Sequence, residues 1–177
     1  MVILMPCAGL YRRFPQDEMP KYIRPLNDIR PMISWALDGL RELTDKRICF
    51  AVRKADEDKW GVSEIIKGYE FAQVMVLDNP TNGPAHTIYE MLKYFNIEET
   101  FLVHDCDCSW SPKSPVSDKE NFIAVAWRET AIGDRGSKSW IYTHSGIVTG
   151  VEEKKTITDW YCCGGFVYGC KFKCKCR

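Results

Sequence analysis

Apolar residues come in short dense runs over the first hundred positions and in alternating stretches after that. Val2 to Cys7 is a continuous apolar run bounded by Pro6 and Gly9, the pattern of a strand covered on both faces. RICFAV, AQVMVLD and TFLVHD repeat it, the last ending on an acid. Helical periodicity lies between these runs. In PMISWALDGLREL, Met32, Trp35, Ala36, Leu40 and Leu43 share one face, with proline in the tolerated first turn. DKWGVSEIIKGY predicts a short helix. In LDNPTNGPAHTIYEMLKYF, a Pro/Gly loop leads into a helix with Ala85, Ile88, Met91, Leu92 and Phe95 on one face. Strands alternating with helices predict a parallel sheet with right-handed crossovers.

Further on, NFIAVAWR, SWIYTH, GIVTGV and GGFVYG read as strands joined by turns rather than helices. The expected fold is α/β: a three-layer, Rossmann-like mixed sheet flanked by helices, with an added β-rich C-terminal section. No internal repeat, low-complexity tract or long linker interrupts the 177 residues, so residues 1–177 are expected to form a single domain.

Charge narrows the choice of partners. Lys+Arg and Asp+Glu both number 24, so no global field favours nucleic acid or an anionic membrane, and any anion site must be local. The apolar start is far shorter than the run of about 20 residues a membrane span needs and lacks a preceding basic stretch. A soluble, cytoplasmic protein is expected. Nine cysteines, an odd count without a secretion signal, point to reduced thiols. Cys7 and Cys49 read as small core residues. CCGGFVYGCKFKCKC carries Cys162, Cys163, Cys170, Cys174 and Cys176 without two clean pairs at zinc-ligand spacing.

Ligands of open α/β sheets bind beyond the carboxyl ends of the strands. Three such segments carry unusual chemistry. AGLYRRF combines a glycine that permits close backbone approach with Arg12 and Arg13, and Lys21 follows in Pro20-Lys21; together they suit a polyphosphate. The segment is neither a Walker loop nor a G-x-G-x-x-G fingerprint, and a plain basic surface loop is the competing reading. TNGPAHT exposes backbone groups before a helix, able to read a nucleobase edge or a phosphate, though alone it reads equally as a turn. His86 there is assigned no role. In HDCDCSW, Asp105 and Asp107 offer hard oxygen ligands at a strand end, suited to Mg²⁺. Positions two apart face the same side of extended backbone, so both could reach one ion. Cys106 and Cys108 beside them suggest a softer metal, but the acids favour a hard one.

Taken together these segments resemble the sugar-phosphate nucleotidyltransferases, or NDP-sugar pyrophosphorylases. Ala8-Gly9-Leu10-Tyr11-Arg12-Arg13-Phe14 and Pro20-Lys21 resemble the family's A-G-x-G-[ST]-R-F and later P-K, with Tyr11 and Arg12 standing where the family has glycine and serine or threonine. PLNDIRPMISWALDGL resembles its following turn and helix. Gly83-Pro84-Ala85 matches its G-[TP]-A loop, and Asp105 its metal aspartate. GIVTGVEEK resembles G-x-V-x-x-x-x-E-K, and CCGGFVYG the glycine-led strand after it. Relative to the family the chain stops at KCKCR, before a second metal-binding aspartate; Asp107, which has no counterpart in the family's pattern, either takes that place or leaves it unfilled.

The resemblance implies that NTP and a sugar 1-phosphate give an NDP-sugar and pyrophosphate, with Mg²⁺ as cofactor. Arg13 and Lys21 would be catalytic, holding the departing pyrophosphate and the α-phosphate region. Ala8, Gly9, Leu10, Gly83, Pro84 and Ala85 would bind the nucleotide. Glu153 and Lys154, with Gly164 or Gly165 in the close-approach position of the glycine-led strand, would meet the sugar phosphate, and Asp105 would hold the metal; Asp107 joins it as the second acid of the D-x-D segment. Neither nucleic acid nor membrane is expected as a partner, and homo-oligomerisation stays open. Alternatives are a cytidylyltransferase for a small phosphorylated alcohol such as phosphocholine, a D-x-D glycosyltransferase, and a non-catalytic nucleotide- or sugar-phosphate-binding domain.

Overall fold

The computed structural model describes residues 1–10, 19–26, 29–40, 47–109, 121–127, 139–145, 147–154 and 158–168. Its strands are β1 (Val2–Pro6), β2 (Pro25–Leu26), β3 (Arg30–Pro31), β4 (Ile48–Arg53), β5 (Ala72–Leu77), β6 (Phe101–His104), β7 (Phe122–Trp127), β8 (Ser139–His144), β9 (Ile147–Glu153) and β10 (Trp160–Tyr168). Its helices are α1 (Met32–Asp38), α2 (Lys54–Trp60), α3 (Val62–Lys67) and α4 (Pro84–Tyr94). One large sheet runs in the order β5-β4-β1-β6-β10-β8-β9, with β7 also pairing β10, and β2 and β3 form a small separate pair.

The expected α/β architecture is what the chain adopts. β1 pairs in parallel with both β4 and β6, so its two faces are covered and its run is apolar throughout. Ile3, Met5 and Cys7 pack on one face with Ile33 and Leu37 of α1 and Val62 and Ile66 of α3. Val2 and Leu4 pack on the other with Met91 of α4. The β-rich section is no separate layer: β10 joins it to the parallel strands by pairing antiparallel with β6.

Three details depart from the sequence pattern. The buried face of α1 is Ile33, Ala36 and Leu37, with Leu40 just beyond it, so the helix is turned about one residue from the face through Met32 and Trp35. Leu43 lies outside the described residues. The single helix expected over DKWGVSEIIKGY is two helices, because Gly61 takes φ +57, ends α2 and caps α3. Ala85 is exposed on α4, whose fully covered residues are Thr87 and Met91.

A buried polar cluster fixes the segment after residues 11–18. The Tyr22 hydroxyl donates to Asp56 Oδ2 at 3.3 Å, and Arg53 donates to both oxygens of Asp56 through Nε at 3.1 Å and Nη2 at 2.5 Å. Tyr22 is fully buried and Asp56 is 4% exposed. Burial, together with the neighbouring carboxylate, raises the Tyr22 pKa and keeps its proton in place to donate. Removing one partner of such a pair strands the other's charge. Asp56→Ala should therefore cost about 3 kcal/mol in denaturant unfolding; a loss below about 1 kcal/mol would show that the cluster does not hold this segment.

Candidate functional site

The parallel strands grow from β1 to β4 to β5 on one side and then restart at β6 on the other, which leaves a crevice beyond the carboxyl ends of β1 and β6. The first loop enters it from β1. The Cys7 N–H continues the ladder by donating to the Ala51 carbonyl at 2.9 Å, Ala8 is buried, and Gly9 and Leu10 are exposed. Arg13, with Arg12 and Tyr11, lies outside the described residues. Lys21 begins a short 3-10 turn, Lys21–Ile23, beside the buried Tyr22.

From β6 comes the acidic segment. Here the chain turns instead of staying extended: the Cys108 N–H reaches the Asp105 carbonyl at 3.4 Å. The two carboxylates therefore converge through a turn, not through strand alternation, and the turn adds a third donor. Ligand atoms of Asp105, Asp107 and Cys108 lie within 4.8 Å of one another. Among the described residues this is the group suited to a metal ion, and its oxygen pair fits Mg²⁺. In the sequence Cys108 is only a soft neighbour of two hard acids; the turn places its thiol with them.

Lys21 and Asp107, 86 positions apart, meet in this crevice, with Nζ to Oδ2 at 2.5 Å. Burial disfavours the Lys21 ammonium, but the hydrogen bond and charge of Asp107 outweigh it, so its pKa is raised. For Asp105, burial comes first and the Asp107 charge second; they push its carboxyl up to about 6 against the pull of Lys21.

Gly164 closes the crevice from β10. The register of β10 with β7 shifts between Cys162 and Phe166, and the irregularity holds Gly164 at φ +85. Its carbonyl accepts the Asp105 N–H at 2.8 Å. A Cβ there would stand 2.8 Å from Cys108 Sγ and 2.9 Å from Asp105 Oδ2, so only glycine fits. What Gly164 approaches closely is the acidic turn.

The remaining predicted residues lie farther along the same edge. Gly83 precedes α4 at φ +107 and its carbonyl accepts the Thr87 N–H at 3.1 Å; Pro84 and Ala85 open the helix. This loop follows β5, two strands from β1. His86 orders it by accepting the Asn82 N–H at Nδ1, 3.0 Å away. Glu153 ends β9 opposite Ser139, and Lys154 follows at φ +59, exposed. Gly165 pairs with His104 whereas Tyr161 pairs with Trp140, so the base of the β8–β9 hairpin stands just past the carboxyl end of β6.

No protein-family model and no curated protein sequence matches the chain. Solved structures do. An inositol-1-phosphate CTP transferase from T. maritima aligns over 95% of this chain and 70% of its own, at 16% identity and a TM-score of 0.77. A nucleoside-diphosphate-sugar pyrophosphorylase from Vibrio cholerae RC9 aligns over 96% and 73%, at 19% identity and a TM-score of 0.71. The chain has the nucleotidyltransferase fold. No helix among the described residues is long and apolar enough to cross a membrane.

Among the described residues Cys7, Cys49, Cys106, Cys108 and Cys162 form no disulfide. Cys7, Cys49 and Cys106 are buried, and burial raises the pKa of Cys7 and Cys49. Cys170, Cys174 and Cys176 lie outside the described residues, as does the Cys163 side chain.

His104, fully buried beneath the site, has its Nδ1 2.7 Å from the Asp105 carbonyl, and burial pushes its pKa down to about 4. The unfolded chain takes up that proton near 6.5, so His104 lowers stability as pH falls from 6.5 to 4, by about 3 kcal/mol for a displacement of that size. Asp105 works in the opposite sense, since its folded carboxyl protonates first as pH falls through about 6. In metal-free His104→Asn, unfolding free energy should therefore rise relative to wild type as pH is lowered over this window. Parallel pH profiles would contradict a buried neutral His104.

Proposed function

We propose that this chain transfers a nucleotidyl group from a nucleoside triphosphate to a sugar 1-phosphate, yielding an NDP-sugar and pyrophosphate. The observation that carries this reading is the meeting of Lys21 with the Asp105–Asp107 turn at the carboxyl ends of β1 and β6, on a fold shared with a nucleoside-diphosphate-sugar pyrophosphorylase.

An oxygen of the sugar phosphate attacks the α-phosphorus in line. A new P–O bond forms, the α–β phosphoanhydride bond breaks, and pyrophosphate leaves with the electron pair. Both reactants are anions, so positioning and charge neutralisation carry the rate and no covalent nucleophile is needed. In this reading Lys21 holds the α-phosphate region and Arg13 the departing pyrophosphate, while the backbone of Ala8, Gly9 and Leu10 lies against the phosphates. Gly83, Pro84 and Ala85 face the base, and Glu153, Lys154 and Gly164 meet the sugar phosphate. Asp105 and Asp107 would hold Mg²⁺, which would offset charge on the phosphate oxygens. Gly164 also keeps the acidic turn in place through its carbonyl.

A second acceptor class, a small phosphorylated alcohol with CTP as donor, is favoured by the likeness to the inositol-1-phosphate CTP transferase. Pyrophosphate release across four nucleotides, several sugar 1-phosphates and phosphorylated alcohols distinguishes the acceptors. Release should require a divalent cation and fall about a hundredfold or more in Lys21→Ala and in Asp105→Ala proteins that remain folded. Nucleotide binding without turnover in every combination would instead identify a non-catalytic binding domain, and activity only on a preformed nucleotide sugar would identify glycosyl transfer.

A further inference from the structure

Asp107 belongs to two groups at once. Its Oδ2 is held by the Lys21 ammonium at 2.5 Å, and its carboxylate is one of the three ligand atoms gathered within 4.8 Å in the turn after β6. The pair is partly shielded, with Lys21 23% and Asp107 40% exposed at their side chains. An ammonium and a divalent cation compete for the same acceptor oxygens, and a cation arriving beside Lys21 also repels it.

From this sharing we propose that Asp107 is a latch on Lys21: it occupies the ammonium when no divalent cation is bound and yields it to a phosphate once cation binding engages the carboxylate. The inference rests on the reading above in taking Lys21 as a phosphate ligand. Its consequence is coupling. Cation and triphosphate each strengthen the other's binding, by the same factor, because each draws one partner out of the Lys21–Asp107 pair. Asp107 is then a positioning residue acting through Lys21, and Asp105 is the acid whose carboxylate stays with the cation.

The test is calorimetric titration of the full chain with inorganic tripolyphosphate, in chelator and with Mg²⁺. Without cation, Asp107→Asn should bind about fivefold more tightly than wild type, the ratio expected for freeing a lysine from an ion pair of this exposure. The enhancement given by Mg²⁺ should shrink in the same variant. Asp107→Glu should restore wild-type behaviour. Asp105→Asn removes a neighbouring negative charge without releasing Lys21 and should tighten cation-free binding less. Unchanged or weaker cation-free binding in Asp107→Asn, or an equal gain in Asp105→Asn, would overturn the latch. Pyrophosphate release by the wild type separates the two readings. A chain without turnover that still gains affinity in Asp107→Asn overturns nucleotidyl transfer and keeps the latch, whereas a working enzyme without the gain overturns the latch alone.

Discussion

The ion pair between Lys21 and Asp107 exists because β1 and β6 are neighbours. Their parallel pairing carries segments 86 positions apart to one sheet edge, where an ammonium and two carboxylates share a partly buried space. Water screens such charges poorly when they are half covered, so the site depends on each being placed against a partner. Lys21 is placed from below, by Tyr22 and its hydrogen bond to Asp56. Asp105 is placed from the side, by the Gly164 carbonyl on its N–H.

β10 is the element that joins the two halves of the fold at this point. Its first residues pair with β7 and β8, its last with β7 and β6, and the register breaks between them. A regular strand would put an ordinary residue beside the acidic turn. The irregularity brings a glycine in a left-handed conformation instead, close enough that no side chain would fit. β10 also runs past the carboxyl end of β6, and there it pairs with β8 at the base of the β8–β9 hairpin.

Much of this was legible in the sequence because burial on both faces writes itself as unbroken apolar runs. β1, β4 and β6 could be read that way, as could the alternation that made the core parallel. Contacts that depend on a turn could not. The convergence of Asp105 and Asp107 was expected from strand alternation and instead comes from a turn that also presents Cys108. The Lys21–Asp107 pair has no local signal, since spacing along a chain says nothing about distances across it. α1 was misjudged by one residue because Trp35 and Met32 look as core-like as Ile33 and Leu37, and only packing selects among them. His86 orders the loop that contains Gly83, a role visible only once its Nδ1 is seen to accept the Asn82 N–H.

The account stands on one crevice serving both cation and triphosphate. The most direct test is a crystal structure with Mn²⁺ and a non-hydrolysable nucleoside triphosphate, using the anomalous signal to locate the ion. It should place Mn²⁺ on the Asp105 carboxylate and a phosphate oxygen within hydrogen-bonding distance of Lys21 Nζ. A nucleotide seated elsewhere, for instance in the cleft between β5 and α4 lined by Asp78, His86 and Tyr94, with Lys21 still on Asp107, would contradict it.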